Sequence, residues 1–105
     1  MAIQKITDGE IKSTLATDDK AIVKFYADWC GSCKLIAPKY RRLSEDERYG
    51  GVSFYEVNAE ENETIRKEAG VDNLPFFAVY RDGKLVEGSA TSKVENIENL
   101  LAKLS

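Results

Sequence analysis

The chain has 105 residues, of which 43 % are hydrophobic and 31 % charged, and its formal net charge is -3. This length and balance fit one globular domain, residues 1–105, rather than a disordered chain. The acidic charge argues against a nucleic-acid partner, and no apolar run reaches the roughly 20 residues of a membrane span. Histidine is absent and cysteine occurs twice, which excludes Cys-His and Ser-His catalysis and leaves a four-ligand zinc site incomplete, so we expect no metal.

The first half of the chain predicts helices that alternate with strands. Thr7 and Glu10 fit a capping box, which begins a helix that ends near Ala16. The apolar run 21–27 predicts a strand at the centre of a sheet. A longer helix is expected over 33–46, despite one internal proline.

The second half predicts a strand, a short helix, a β-hairpin and a final helix. The strand is expected over 52–57 and the short helix over 62–69. The two hairpin strands are expected over 76–80 and 85–88, and the final helix from Ser92 onward. The Asp82-Gly83 step is a strong hairpin signal, and Ser92 with Glu95 fits a second capping box. Alternating elements favour parallel pairing and the hairpin adds antiparallel pairing, which predicts an α/β fold with a mixed central sheet and helices on both faces.

The two cysteines, Cys30 and Cys33, lie between the second predicted helix and the strand before it. The Cys-x-x-Cys spacing in this setting is typical of a redox-active dithiol. The first turn of a helix carries unpaired N–H groups and partial positive charge, which stabilise a thiolate. If Cys30 begins the helix, it can attack a substrate disulfide, and Cys33 can then resolve the mixed disulfide.

With these residues in place, the chain resembles the thioredoxin family. The markers are the stretch 25–34 (Phe-Tyr-Ala-Asp-Trp-Cys-Gly-Ser-Cys-Lys), Ala37-Pro38, Leu74-Pro75, Asp82-Gly83-Lys84 and Gly88, in the family's order over almost the whole length. The resemblance implies the thioredoxin fold and thiol–disulfide exchange, with Cys30 as the nucleophile and Cys33 as the resolving thiol.

The resemblance also implies a supporting shell around the cysteines. Trp29 would form part of a docking surface, Pro75 would follow a cis peptide bond and lie against the sulfurs, and Gly88 would leave room for a substrate backbone. The predicted substrate-binding and supporting residues are Trp29, Gly31, Ser32, Leu74, Pro75, Phe76 and Gly88.

Two positions near the pair depart from the family's usual residues. Ser32 replaces the usual proline between the cysteines and adds a hydroxyl that could donate to a thiolate, which leaves the reduction potential open. Phe76 replaces a frequent threonine after Pro75, and we expect it to give the groove a more apolar wall.

A third departure concerns charge. Lys24 stands where the family usually has a buried aspartate, and Phe54 where it often has the lysine partner. Lys24 could pair diagonally with Glu56, two residues from Phe54, or extend its ammonium to solvent. Lys34 is expected to be a solvated charge near enough to favour a thiolate. Lys24, Lys34 and Glu56 are therefore the predicted pKa-tuning residues.

We expect a thiol–disulfide oxidoreductase that reduces protein disulfides in the cytoplasm. The start of the chain, 1–8, lacks the apolar stretch of a signal peptide. The resemblance implies no bound cofactor beyond the redox-active disulfide of Cys30 and Cys33. It also implies disulfide-containing protein substrates and recharging by a thioredoxin reductase, and we expect a monomer with no nucleic-acid or membrane partner.

Rival interpretations stay open at this point. Ser32 and Lys24 are compatible with a more oxidising or isomerising variant. The apolar groove expected around Trp29, Leu74 and Phe76 is compatible with a thioredoxin-fold binding or chaperone-like module. More plainly, the cysteines could be inert buried thiols, Trp29 ordinary core and the Leu74-Pro75 bond trans.

Overall fold

The fold is a five-stranded mixed sheet between two pairs of helices, seen in a computed structural model that describes residues 3–105. The elements are β1 Gln4–Lys5, α1 Asp8–Ala16, β2 Lys20–Tyr26, α2 Gly31–Ser44, a short 3-10 helix Glu47–Tyr49, β3 Ser53–Asn58, α3 Glu63–Ala69, β4 Phe76–Arg81, β5 Lys84–Ala90 and α4 Val94–Ala102. The strand order is β1-β3-β2-β4-β5.

The central strand is β2, as its apolar sequence predicts. It pairs parallel with β3 and antiparallel with β4, while β4 pairs antiparallel with β5. The mixed sheet is therefore confirmed. The sequence did not predict β1, a two-residue strand that pairs parallel with β3, because two residues are too few to show an alternating pattern.

The hydrophobic core lies in two layers, one on each face of the sheet. Val23 and Phe25 of β2 face α1 and α3, where they meet Leu15 and Ile65. Ile22, the alternate residue, faces α2 and α4. Alternate strand residues point to opposite faces, so both faces are covered and the predicted three-layer arrangement is confirmed. Within residues 3–105, no helix combines the length and apolar character needed to cross a bilayer.

The capping box predicted at α1 is confirmed, and the one predicted at α4 is wrong. At α1 the backbone N–H of Thr7 donates to Oε1 of Glu10 at 3.1 Å. At α4 the prediction of Ser92 as the cap is wrong, because the N-cap residue is Lys93. Glu95 then falls one position short of the third helical residue. Instead, Oγ1 of Thr91 accepts from the N–H of Lys93 at 3.1 Å.

The absence of a side chain at Gly88 leaves the space that the Phe76 ring occupies in the core. A Cβ at Gly88 would lie 2.6 Å from Cε1 of the Phe76 ring. That ring is 5 % exposed and packs edge-on against Phe25, with centroids 6.0 Å apart. Because the ring is held on both sides, a methyl group at Gly88 would strain the packing.

We therefore expect Gly88→Ala to lower the free energy of unfolding by about 1–3 kcal/mol, the usual range for overpacking. Gly51→Ala is the matched control, because a Cβ there has no heavy atom within 4 Å. Urea denaturation of both variants measures the difference. Equal midpoints for the two variants would show that the Phe76 ring moves aside at little cost.

Candidate active site

Cys30 and Cys33 form a disulfide at the start of α2. Cys30 is the N-cap residue, and its Sγ accepts from the backbone N–H of Cys33 at 3.1 Å. The helix thus begins at Gly31 rather than at 33, which places Cys30 at the positive end of the helix dipole as predicted. The cysteines are 5 % and 3 % exposed. Because they are bonded to each other, neither is a free thiol of the core.

The peptide bond between Leu74 and Pro75 is cis, as predicted. Leu74 packs against the cluster formed by Ala27 and the two cysteines. Beside them lies the proline groove, a cavity of about 280 Å³. It is lined by Ser32, Asn73, Leu74, Pro75, Ala90, Thr91 and Ser92. The groove joins the cysteine loop to the proline loop and presents mostly polar atoms.

Trp29 is 69 % exposed, so it is not ordinary core. Its indole N–H donates to a carboxylate oxygen of Glu60 at 2.8 Å. Sequence reasoning did not single out Glu60. The sequence did carry a signal for this contact. Glu60 follows β3 as Trp29 follows β2, and because the carboxyl ends of adjacent parallel strands meet at one edge of the sheet, the two residues are expected to lie close together.

Two buried asparagines fix the loop that carries Glu60. Oδ1 of Asn58 accepts from the N–H of Glu60 at 3.0 Å. Nδ2 of Asn62 donates to the carbonyl of Asn58 at 2.9 Å, and Oδ1 of Asn62 accepts from the N–H of Asp8 at 2.8 Å. Both asparagines are 4 % exposed. These bonds fix the backbone of the loop and so place the Glu60 carboxylate within hydrogen-bond reach of Trp29.

Lys24 is 5 % exposed, and its Nζ lies 3.4 Å from Oε2 of Glu56. The alternative in which its ammonium reaches solvent is therefore wrong. The ammonium also lies 5.6 Å from the ring centroid of Tyr26 and 5.5 Å from that of Tyr40. Burial lowers the pKa of Lys24, and the Glu56 charge opposes this shift. With Cys33, Lys24 and Glu56 line a cavity of about 220 Å³.

The pairing of Lys24 with Glu56 is direct rather than diagonal, because the two are register partners on adjacent strands. Phe54 is paired with Ile22 and does not stand opposite Lys24. Its ring packs against Tyr40, with centroids 5.3 Å apart. The expectation that Phe54 occupies the position opposite Lys24 is therefore wrong by two residues. Glu56 is the residue that faces Lys24.

The remaining predicted residues divide between the rim and the core. Gly31 and Ser32 are exposed on the first turn of α2, and Lys34 is exposed at the rim of the Lys24 cavity. The expectation that Phe76 forms an apolar groove wall is wrong. Phe76 begins β4 with its side chain in the core, and Gly88 faces that ring. Within residues 3–105, no cluster of three or more histidine, cysteine, aspartate or glutamate residues is placed to hold a metal ion.

A disulfide at a helix N-terminus with a cis-proline loop beside it, on a mixed sheet flanked by helices, defines an α/β thiol–disulfide oxidoreductase. Comparison with known sequences agrees: the Thioredoxin family model matches residues 2–104. The chain belongs to the thioredoxin family, and its redox group is its own Cys30–Cys33 pair.

Individual relatives support this assignment. Thioredoxin-1 of Schizosaccharomyces pombe is 35 % identical over 97 residues, which cover 89 % of this chain and 92 % of that protein. A solved structure of Plasmodium falciparum thioredoxin is 28 % identical with a TM-score of 0.88, and the match covers 98 % of this chain and all of that one. A chain from a complex of ferredoxin:thioredoxin reductase and thioredoxin f2 is 27 % identical with a TM-score of 0.86, covering 96 % of this chain and 93 % of that one.

The buried ammonium of Lys24 predicts a pH-dependent stability. Its pKa is lowered in the folded state, so below about pH 10.4 the unfolded chain binds this proton more tightly than the folded one. The contribution of Lys24 to stability must therefore rise as the pH rises toward that value. We expect the unfolding free energy of Lys24→Met, minus that of the wild type, to decrease as the pH is raised toward 10.

Urea denaturation at half-unit pH steps measures this difference. Lys84→Met, which removes an exposed lysine of the hairpin, is the control for the loss of one positive charge. A gap between Lys24→Met and the wild type that stays constant with pH would show that the folded protein binds the Lys24 proton as tightly as the unfolded chain.

Proposed function

We propose that this protein reduces disulfide bonds of other proteins, with Cys30 as the attacking thiol and Cys33 as the resolving thiol. The observation that carries the proposal is the position of Cys30, which is the N-cap of α2 and belongs to the cluster against which Leu74 of the proline groove packs. Partial positive charge at this end of the helix favours the thiolate form of Cys30.

The exchange balances in two steps. The Cys30 thiolate attacks one sulfur of the substrate disulfide, the substrate S–S bond breaks, and the departing sulfur leaves as a thiolate that takes up a proton. The Cys33 thiolate then attacks Sγ of Cys30, which releases the second substrate sulfur. Two electrons pass to the substrate, and the protein is left with the Cys30–Cys33 disulfide that the structure contains.

Turnover then needs a reductant for this disulfide, and we propose a thioredoxin reductase in that role. One structural relative is a chain from a complex of ferredoxin:thioredoxin reductase and thioredoxin f2, which supports a partner of this class. A reducing compartment, such as the cytoplasm, suits this function, because the two cysteines form the exchange pair and no other cysteine is available for a structural disulfide. We propose that the working form is a monomer.

A trapping experiment tests the roles of the cysteines. We expect Cys33→Ser to form stable mixed disulfides through Cys30, because the resolving attack is lost while the nucleophile remains. Mass spectrometry of the isolated adducts locates the linked cysteine. The converse variant, Cys30→Ser, should trap far less substrate. Adducts found mainly on Cys33 of Cys30→Ser, with none on Cys30 of Cys33→Ser, would reverse the assignment.

Activity is measured as the reduction of insulin disulfides with dithiothreitol as the electron donor. The wild type should accelerate this reaction and Cys30→Ser should not. A wild type that binds unfolded substrates but gives no acceleration over Cys30→Ser would favour the binding module over the reductase.

One observation favours a second candidate function, a more oxidising variant. The Lys24 ammonium shares a cavity with Cys33, and a positive charge stabilises a thiolate. Stabilising the thiolate stabilises the reduced protein, which raises the reduction potential and makes the disulfide a stronger oxidant. The Glu56 carboxylate, 3.4 Å from the ammonium, cancels much of this attraction. The balance within this pair therefore shifts the reduction potential toward the reductant or toward the oxidant.

Matched variants test the balance. Glu56→Gln leaves the ammonium unpaired and should lower the cysteine pKa and raise the reduction potential. Lys24→Met leaves the carboxylate unpaired and should shift both in the opposite direction. We expect changes of up to about one pKa unit, which corresponds to about 1.4 kcal/mol or about 30 mV for a two-electron couple.

The measurements are thiolate absorbance during a pH titration and a glutathione redox titration. Glu98→Gln is the control, since the exposure of the Glu98 side chain, 35 %, is close to the 31 % of Glu56, and it pairs instead with Arg48. Identical curves for Glu56→Gln, Lys24→Met and the wild type would show that the pair does not act on the cysteines.

A further inference from the structure

Exposed apolar surface is concentrated at the redox pair. Within residues 3–105, four large hydrophobic side chains are exposed, and two of them flank the disulfide. Trp29 precedes Cys30 and is 69 % exposed, while Leu35 follows Cys33 in α2 and is 77 % exposed. The proline groove accounts for neither side chain, because both lie outside its lining. Leu35 therefore lies beside the redox pair but outside the proline groove.

A second cavity extends the site toward Leu35. This α2 groove has a volume of about 160 Å³ and is lined by Ser32, Leu35, Ile36, Lys39 and Ser92. Ser32 and Ser92 also line the proline groove. The two grooves therefore meet at these serines and form one surface that runs from Pro75 to Lys39.

The α2 end of this surface is positively charged. Lys39 lines the groove, and Lys93 is adjacent in sequence to the groove residue Ser92. Both lysines are exposed, and neither forms an ion pair with any residue of 3–105. Their positive charge is thus available to a bound partner.

The opposite flank is acidic. Asp28, Glu60 and Glu61 are exposed, and the charges of Glu61 and Asp28 reach Lys5. Glu60 is already engaged by the indole N–H of Trp29. An acidic segment is repelled on this flank and attracted on the α2 flank, so the charges orient a bound chain in one direction.

We propose that the α2 groove binds an extended segment of the disulfide-bearing substrate protein, with an apolar side chain against Leu35 and an acidic side chain at Lys39. The inference rests on the proposed function and names the class of substrate sequence that this chain prefers. Two observations support the occupant: the groove is continuous with the redox site, and its free charge is positive.

Helix geometry gives the spacing. Leu35 and Lys39 lie five and nine residues after Cys30, which is about 7.5 Å and about 13.5 Å along the helix axis. An extended peptide advances about 3.3 Å per residue. The apolar side chain is therefore expected about two residues from the reacting cysteine, and the acidic side chain about four residues from it.

Symmetric peptides test this spacing whichever way the segment runs. The acidic probe is the disulfide-linked dimer of Glu-Gly-Leu-Gly-Cys-Gly-Leu-Gly-Glu. The basic probe has lysine at both ends, and the neutral probe has glutamine. The reduced protein is mixed with each probe at low ionic strength, and the second-order rate of reduction is measured by acid quench and chromatography.

The decisive quantity is the acidic-to-basic rate ratio in Lys39→Glu compared with that in Lys84→Glu. Both variants change the net charge equally, but Lys84 lies at the far end of β5. We expect the ratio to be about threefold lower in Lys39→Glu, as expected for one exposed charge contact, and the difference to fade in high salt. The same ratio in both variants would overturn the proposal.

Leu35→Ser tests the apolar contact. It should reduce the rate advantage of the neutral probe over a probe with glycine in place of both leucines, whereas Leu85→Ser, on the exposed hairpin, should not. Equal effects of the two variants would count against the groove. Sedimentation supplies a further outcome: a wild-type dimer that Leu35→Ser dissociates would assign the groove to a second copy of the chain and overturn the proposal.

These results are separable from the proposed function. If every probe is reduced faster by the wild type than by Cys30→Ser while the ratios do not move, the α2 groove proposal fails and the oxidoreductase proposal stands. If no probe is reduced faster than by Cys30→Ser, both fail.

Discussion

The site depends on the register of the three inner strands, because β2 and β3 end at the same edge of the sheet at which β4 begins. Tyr26, the last residue of β2, is register partner to Asn58 at the end of β3. Phe25 is register partner to Phe76, the first residue of the antiparallel β4. One edge of the sheet therefore delivers three segments side by side: the cysteine loop after β2, the Glu60 loop after β3 and the proline loop before β4. A hydrogen bond of 2.8 Å from the N–H of Ala59 to the carbonyl of Tyr26 ties two of them together.

The same register brings a charged pair into the layer beneath the cysteines. Lys24 lies two residues before the end of β2, on the face that α2 covers, so its ammonium cannot reach bulk water directly. Burial of a charge is costly unless it is paired. Glu56, whose side chain is 31 % exposed, provides the pairing and keeps one side of the pair open to solvent. The rings of Tyr26 and Tyr40 add cation–π attraction.

Tyr40 links this pair to the sheet. Its hydroxyl, on α2, donates to the carbonyl of Tyr55 at 2.8 Å and lies 3.2 Å from the carbonyl of Ile22. Burial, and to a lesser extent the charge of Glu56, raises the pKa of Tyr40 well above its ordinary value, so the hydroxyl stays protonated and remains a donor. The helix that positions the cysteines and the strands that carry Lys24 and Glu56 are thereby held in one relative position.

Much of this arrangement is visible in the sequence, and the misses have physical reasons. The apolar run 21–27 predicts the central strand β2, the Cys-x-x-Cys spacing predicts a helix start near Cys30, and the family resemblance predicts the proline loop. The pairing of Lys24 with Glu56 and the inward direction of Phe76 depend on strand register, which a one-residue shift would reverse. The hydrogen bond from the N–H of Lys93 to Thr91 and the bond from Trp29 to Glu60 depend on where loops end in space.

The exchange chemistry and the proposed substrate selectivity lie on different parts of the molecule, the first in the loops at the edge of the sheet and the second on the outer face of α2. Register and buried hydrogen bonds fix the cysteine loop, the proline loop and Glu60, so substitutions there disturb the fold as well as the reaction. Leu35 and Lys39 lie on the outer face of α2 and carry no part of the core. Such residues can change without loss of the fold, because exposed positions contribute little to stability. The charge and shape of this face can therefore set which disulfides are presented to Cys30, while the exchange chemistry stays the same.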